Sequence, residues 1–124
     1  MTPQQLTESL QIIRSAMDEQ AGLDNPTGVA EKLQKLSTLL GLSAECQAWA
    51  RRFYDEKIGR LSQLQVCKGM SATDKKVYIG LEASQEAYQL NYAEGLNKDC
   101  HYVVESCRSM LSFLKQEMAQ IQKG

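Results

Sequence analysis

Apolar residues recur at spacings of three and four along nearly the whole chain, the period of an amphipathic helix. Leu6, Leu10, Ile13 and Met17 follow Thr2 and Pro3. With Gln5 at the third helical position this is a capping-box opening, which predicts a first helix over residues 3–20. Gly22 through Asn25 is turn chemistry, and Pro26 suits the first position of a new helix. Val29, Leu33, Leu36 and Leu40 then repeat the spacing until Gly41, so a second helix is expected over 26–40. Ser43 can cap a third over 43–66, with Cys46, Trp49, Ala50, Phe53, Ile58, Leu61 and Leu64 as inward candidates. Lys68, Gly69 and Met70 interrupt that pattern.

Beyond Ser71 there is neither a proline nor a turn cluster. The remainder therefore reads as one helix over 73–122, about 75 Å long at 1.5 Å per residue. Its second half carries Ala93, Leu96, Cys100, Val103, Cys107, Met110, Leu114 and Ile121 in an alternating three/four spacing broken only by Glu117, flanked by Val104, Leu111 and Met118. In its first half the stripe runs through Val77, Leu81, Tyr88 and Tyr92, about 80° away on a helical wheel. Gly95 sits where the phase changes, so a bend is expected there. The final stretch, Gln116 to Gly124, is a polar end expected to fray.

These lengths predict an all-α fold: a single domain over 1–124, built as a helical bundle with a long, bent C-terminal helix packed antiparallel on the preceding helix. The stripe after Gly95 projects past that hairpin and must be covered. Either the first two helices fold over it or a second copy does, and a homodimer is favoured. Leu114→Glu would then yield monomer or unfold the chain.

Composition narrows the functional classes. The 124 residues fit one core. With 23% charged residues and a net charge of −1, no global positive field exists to hold nucleic acid or an anionic membrane nonspecifically. The start of the chain has no cationic, apolar leader pattern, and no apolar run approaches the length of about 18 residues that spans a bilayer. The expected location is the cytoplasm. Cys46, Cys67, Cys100 and Cys107 sit among helix formers and read as reduced core thiols.

No catalytic or metal constellation emerges, and no cofactor is expected. His101 is the only histidine and points about 100° away from Cys100 on a helix, so the two cannot chelate together. Glu82 and Glu86 are four apart, as bundle carboxylate ligands can be, but the accompanying Glu-x-x-His motif is absent. The glycines are too widely spaced to cradle a phosphate.

Two features suggest binding. Residues 36–52, with Gly41, Leu42 and Ser43 between two helical patterns, superficially resemble a helix-turn-helix corner. Arg51, Arg52, Lys57 and Arg60 would be its nucleic-acid contacts, although Asp55 and Glu56 dilute them; a plain helix–helix corner is the simpler reading. The second feature is a polar stripe on the last helix. Glu94, His101, Glu105, Arg108, Ser112 and Lys115 fall within about 40° of one direction. An ordinary solvated face explains them, or a docking surface for a protein partner in which Arg108 makes the charged contact and Tyr88, Tyr92 and Tyr102 supply aromatic anchors.

At this helix the sequence resembles small helical proteins of unassigned function found among phage and prophage accessory genes. The residues that carry the likeness are Ser71-Ala72-Thr73 and then Asn97, His101, Arg108-Ser109, Ser112, Lys115 and Glu117. The resemblance implies a noncatalytic accessory factor, acting in the host cytoplasm on a host or phage protein. The expected function is thus that of a protein-interaction module. A nucleic-acid-binding accessory protein is the alternative.

Overall fold

The computed structural model describes residues 1–20 and 24–123. These form α1 (Pro3–Asp18), α2 (Pro26–Ser62), α3 (Gln65–Lys68), α4 (Ala72–Glu82) and α5 (Ser84–Lys123), with no strand among them. The all-α bundle is as the periodicity requires. Thr2 caps α1 through a reciprocal capping box with Gln5. Asn25 caps α2 just before Pro26, its side chain accepting from the Gly28 amide at 2.8 Å; Gly22 and Leu23, the start of the expected turn, lie outside the described residues.

Two expected breaks are absent and two unexpected ones are present, one after Ser62, where α2 ends before α3 begins at Gln65, and one at Ala83. Gly41 does not end a helix: α2 runs through it for 37 residues. A helical glycine costs about 1 kcal/mol relative to alanine, and here burial of Leu36, Ser43, Cys46 and Ala50 on the same helix outweighs that cost. There is accordingly no corner at 36–52. Gly95 likewise lies inside uninterrupted α5. The break falls instead at Ala83, which leaves helical geometry while its amide bonds back to the carbonyls of Ile79 and Leu81. The supposed phase change came from reading Val77, Leu81, Tyr88 and Tyr92 as core, whereas all four are exposed. The buried set on this side is Ala83, Leu90, Ala93, Leu96, Cys100, Val104 and Cys107. Because a Cβ at residue 95 would meet nothing within 4 Å, Gly95→Ala is expected to raise stability by about 1 kcal/mol, read as a higher denaturant midpoint.

The body of the molecule is a three-helix bundle of α1, α2 and α5, whose most extensive packing is α2 against α5. Three cross-helix pairs fix that packing as antiparallel: Ser43 with Asn97 at 3.0 Å, Arg51 with Glu94 at 3.1 Å, and Lys57 with Glu86 at 3.8 Å. Ser43 is the one buried polar side chain among the core residues. Its bond from Asn97 satisfies it and ties the register of the two helices. α1 lies antiparallel to α2, with Lys32 Nζ donating to the last carbonyls of α1, Met17 at 2.9 Å and Glu19. This cation completes a helix end that has no basic residue of its own. Leu6, Leu10, Ile13, Ala16 and Met17 bury the inner face of α1 against Leu36, Cys46, Ala50, Leu90, Leu96 and Cys100.

The helices differ in length, and that difference exposes one end of α5. From the Ser43–Asn97 contact and equal rise on both helices, Pro26 at the start of α2 stands opposite about residue 114 of α5. α1 ends sooner, opposite about residue 100. Every described residue from Lys115 to Ile121 is exposed. No helix of the described residues is long and apolar enough to cross a membrane.

Candidate interaction surfaces

The thiols belong to the core. All four are buried and unpaired. Burial pushes the Cys46 thiol above its usual range, reinforced by the Glu45 charge and opposed by a hydrogen bond with Ser9. Burial alone raises Cys100. Both are therefore neutral at physiological pH, because only the thiolate carries charge. Among the described residues, no group of three His, Cys, Asp or Glu side chains stands together in a way that could hold a metal ion. Glu82 and Glu86 are not neighbours on one helix, since the chain turns between them at Ala83. Glu86 points across to Lys57, and its Oε2 is buried without a hydrogen-bond partner.

The basic residues expected to contact nucleic acid are engaged elsewhere. Arg51 pairs with Glu94 on α5, and Lys57 with Glu86. Arg52 pairs with Glu56 at 3.0 Å and lies 5.0 Å over the Trp49 ring. Arg60 lines a cavity of about 340 Å³ with Pro3, Thr7, Phe53 and Gln89. Without a corner to present a recognition helix, and with three of the four cations held by carboxylates, this face offers no concentrated positive charge.

The residues expected to dock a protein do not form one surface. His101, Glu105, Arg108 and Ser112 share the outer face of α5, all exposed, with Arg108 paired to Glu105. Tyr88 and Tyr92 stack 6.4 Å apart on the side turned toward α1. There, with Leu10, Arg14 and Gln85, they line a groove of about 500 Å³. On a continuous helix the 16 residues from Tyr92 to Arg108 span about 24 Å. Tyr102 is exposed between the two groups.

A second exposed apolar surface lies elsewhere, at the end of α5. The core stripe of Leu96, Cys100, Val104 and Cys107 continues in register through Leu111, Leu114, Met118 and Ile121, with Met110 along its edge and Phe113 about 120° round the helix. Leu111 and Leu114 are half-buried; Met110, Phe113, Met118 and Ile121 are exposed. This continuation faces roughly 120° away from the Arg108 and Ser112 side. The sequence alone shows the stripe and that it projects past its neighbours, but leaves open what covers it. That it lies open follows only from where Pro26 starts α2. No protein-family model, curated protein or solved structure matches this chain.

Proposed function

We propose that this chain is a noncatalytic protein-interaction module, an accessory factor that works by docking the apolar end of α5 on a protein. The observation that carries this reading is the continuation of the core stripe beyond its cover: the same helical face is buried through Cys107 and bare at Met118 and Ile121. Apolar side chains repeated along one helix face are the feature by which helix-in-groove and coiled-coil contacts are read. An isolated helix of so few residues is marginal in water, so packing by a partner would stabilise the very segment that makes the contact. The end of α5 is favoured over the Arg108 face, where the only arginine is already paired with Glu105.

A photo-crosslinking amino acid at residue 118 in the source cell tests the proposal. It is expected to trap a discrete protein adduct, whereas the same group at residue 116, on the opposite side of the helix, is expected to trap none. Equal labelling from both positions, or none from either, would remove the docking face.

A further inference from the structure

We propose that the groove between α1 and α5 is a binding site for an adenine nucleotide, apart from the end of α5 and independent of the docking reading. The groove encloses about 500 Å³, within the range of small-ligand pockets. Three features of its lining select the ligand. The first is the ring pair. Tyr88 and Tyr92 stand one turn apart, their ring centroids separated by 6.4 Å and their planes inclined by 25°. A flat ring in contact with both, about 3.5 Å from each, needs about 7 Å, so the pair admits one by opening about half an ångström. Tyr88 is 70% exposed and Tyr92 38%, so neither ring is spent on the core, while buried Leu10 supplies an apolar floor. Stacking on aromatic side chains is how proteins hold an unpaired base.

The second is a hydrogen-bonding edge. Gln89 Nε2 donates to Thr7 Oγ1 at 3.1 Å, which fixes that amide and keeps its carbonyl oxygen as an acceptor. Gln85 brings a second amide to the same groove. A carboxamide both donates and accepts, the pattern that matches N7 and the N6 amino group of adenine.

The third is charge. Among the described residues Arg14 is the only charged side chain that lines the groove, so its complement is an anion. Nε of Arg14 pairs with Asp18 at 3.3 Å, both side chains about half exposed. An exposed pair of this kind is weak, and the terminal N–H groups of the guanidinium remain for a phosphate. α1 runs parallel to α5, and from the Thr7–Gln89 contact Arg14 stands opposite about residue 96, roughly 6 Å past Tyr92. Asp18 and Asp99 stand about one turn farther along the bundle, outside the groove.

Amide NMR titration of the purified chain with adenosine, adenosine 5′-monophosphate and a short single-stranded oligoadenylate tests this. The monophosphate is expected to bind with a dissociation constant below about 1 mM, shifting the amide signals of Tyr88, Gln89 and Tyr92. Adenosine is expected to bind roughly tenfold more weakly, and Arg14→Gln to lower the monophosphate to the adenosine value. Tyr88→Ala is expected to weaken all three probes by roughly tenfold or more, with unchanged far-ultraviolet circular dichroism because the ring is exposed. An oligoadenylate bound more tightly than the monophosphate assigns the site to single-stranded nucleic acid, and equal affinity per base assigns it to the free nucleotide; both support the site. Saturable binding undiminished by Tyr88→Ala overturns the inference, because the ligand then sits elsewhere. So does a monophosphate bound no better than adenosine, or the absence of saturable binding of any probe at millimolar concentration.

Discussion

Ile13→Ala is expected to destabilise the fold by about 3 kcal/mol, within the range measured for large-to-small changes in tightly packed cores. Ile13 is fully buried at the centre of the α1 stripe, between Leu10 and Met17. Among the described helices α1 alone covers the third side of the α2–α5 pair, and removing three carbons there opens a cavity where those helices meet. The hydrogen bonds holding α1 in place from outside, from Lys32 to the Met17 and Glu19 carbonyls and from Gln89 to Thr7, do not fill that space. Chemical denaturation should therefore show a lower midpoint with an unchanged slope, since the cooperative unit is the same. A loss below about 1 kcal/mol would mean that α1 is peripheral to the core.

Gly41→Pro is the second large effect, about 3 kcal/mol or more. Residue 41 lies deep inside α2, so proline there removes an amide hydrogen bond and drives its ring into the carbonyl one turn back. Had the chain turned at residues 41–43, proline just past a helix end would have been tolerated. The substitution thus discriminates a continuous α2 from a helix-turn-helix corner. The reading to take is the change in unfolding free energy, with a near-neutral result as the outcome that would restore the corner.

What the sequence makes legible is local chemistry. Ser71, accepting from the Asp74 amide, caps a helix that starts at Ala72 rather than at 73, but the Thr2–Gln5 capping box and Pro26 at a helix start, equally decided by neighbours within one turn, each stand where they were expected. So does the antiparallel packing of the last helix, which follows from lengths. The failures all involve glycine or its absence. Gly41 and Gly95 looked like punctuation, but a cost of about 1 kcal/mol is small beside the burial of the leucines and cysteines around them. Ala83 carries no breaker signal at all; its turn is set by α4 packing back toward α2, a tertiary contact. The short α3 was missed for the same reason, since Ser62, Gln63 and Leu64 contain no breaking residue.

The candidate site was legible in outline and misplaced in detail. The stripe through Leu114, Met118 and Ile121 was visible from its spacing, and so was the need to cover it. Whether it was covered depended on how far α2 reaches, and that depended on Gly41 not ending a helix. Once α2 is one rod from Pro26, its other end falls at Ser62, and the same register leaves α5 bare after Leu114. Val77 and Leu81 show the converse error: apolar residues on a helix with no buried member were taken for core. Periodicity reports which face of a helix is apolar, and only the neighbours decide whether that face is inside.

The central claim is that nothing within the described fold covers the end of α5, and residue-resolved amide hydrogen exchange tests it most directly. In dilute protein, amides from Leu90 to Cys107 are expected to exchange only with global unfolding, while those from Lys115 to Ile121 exchange by local opening orders of magnitude faster. Strong protection out to Ile121 in a dilute monomer would contradict the account, because the chain would then be covering this face itself.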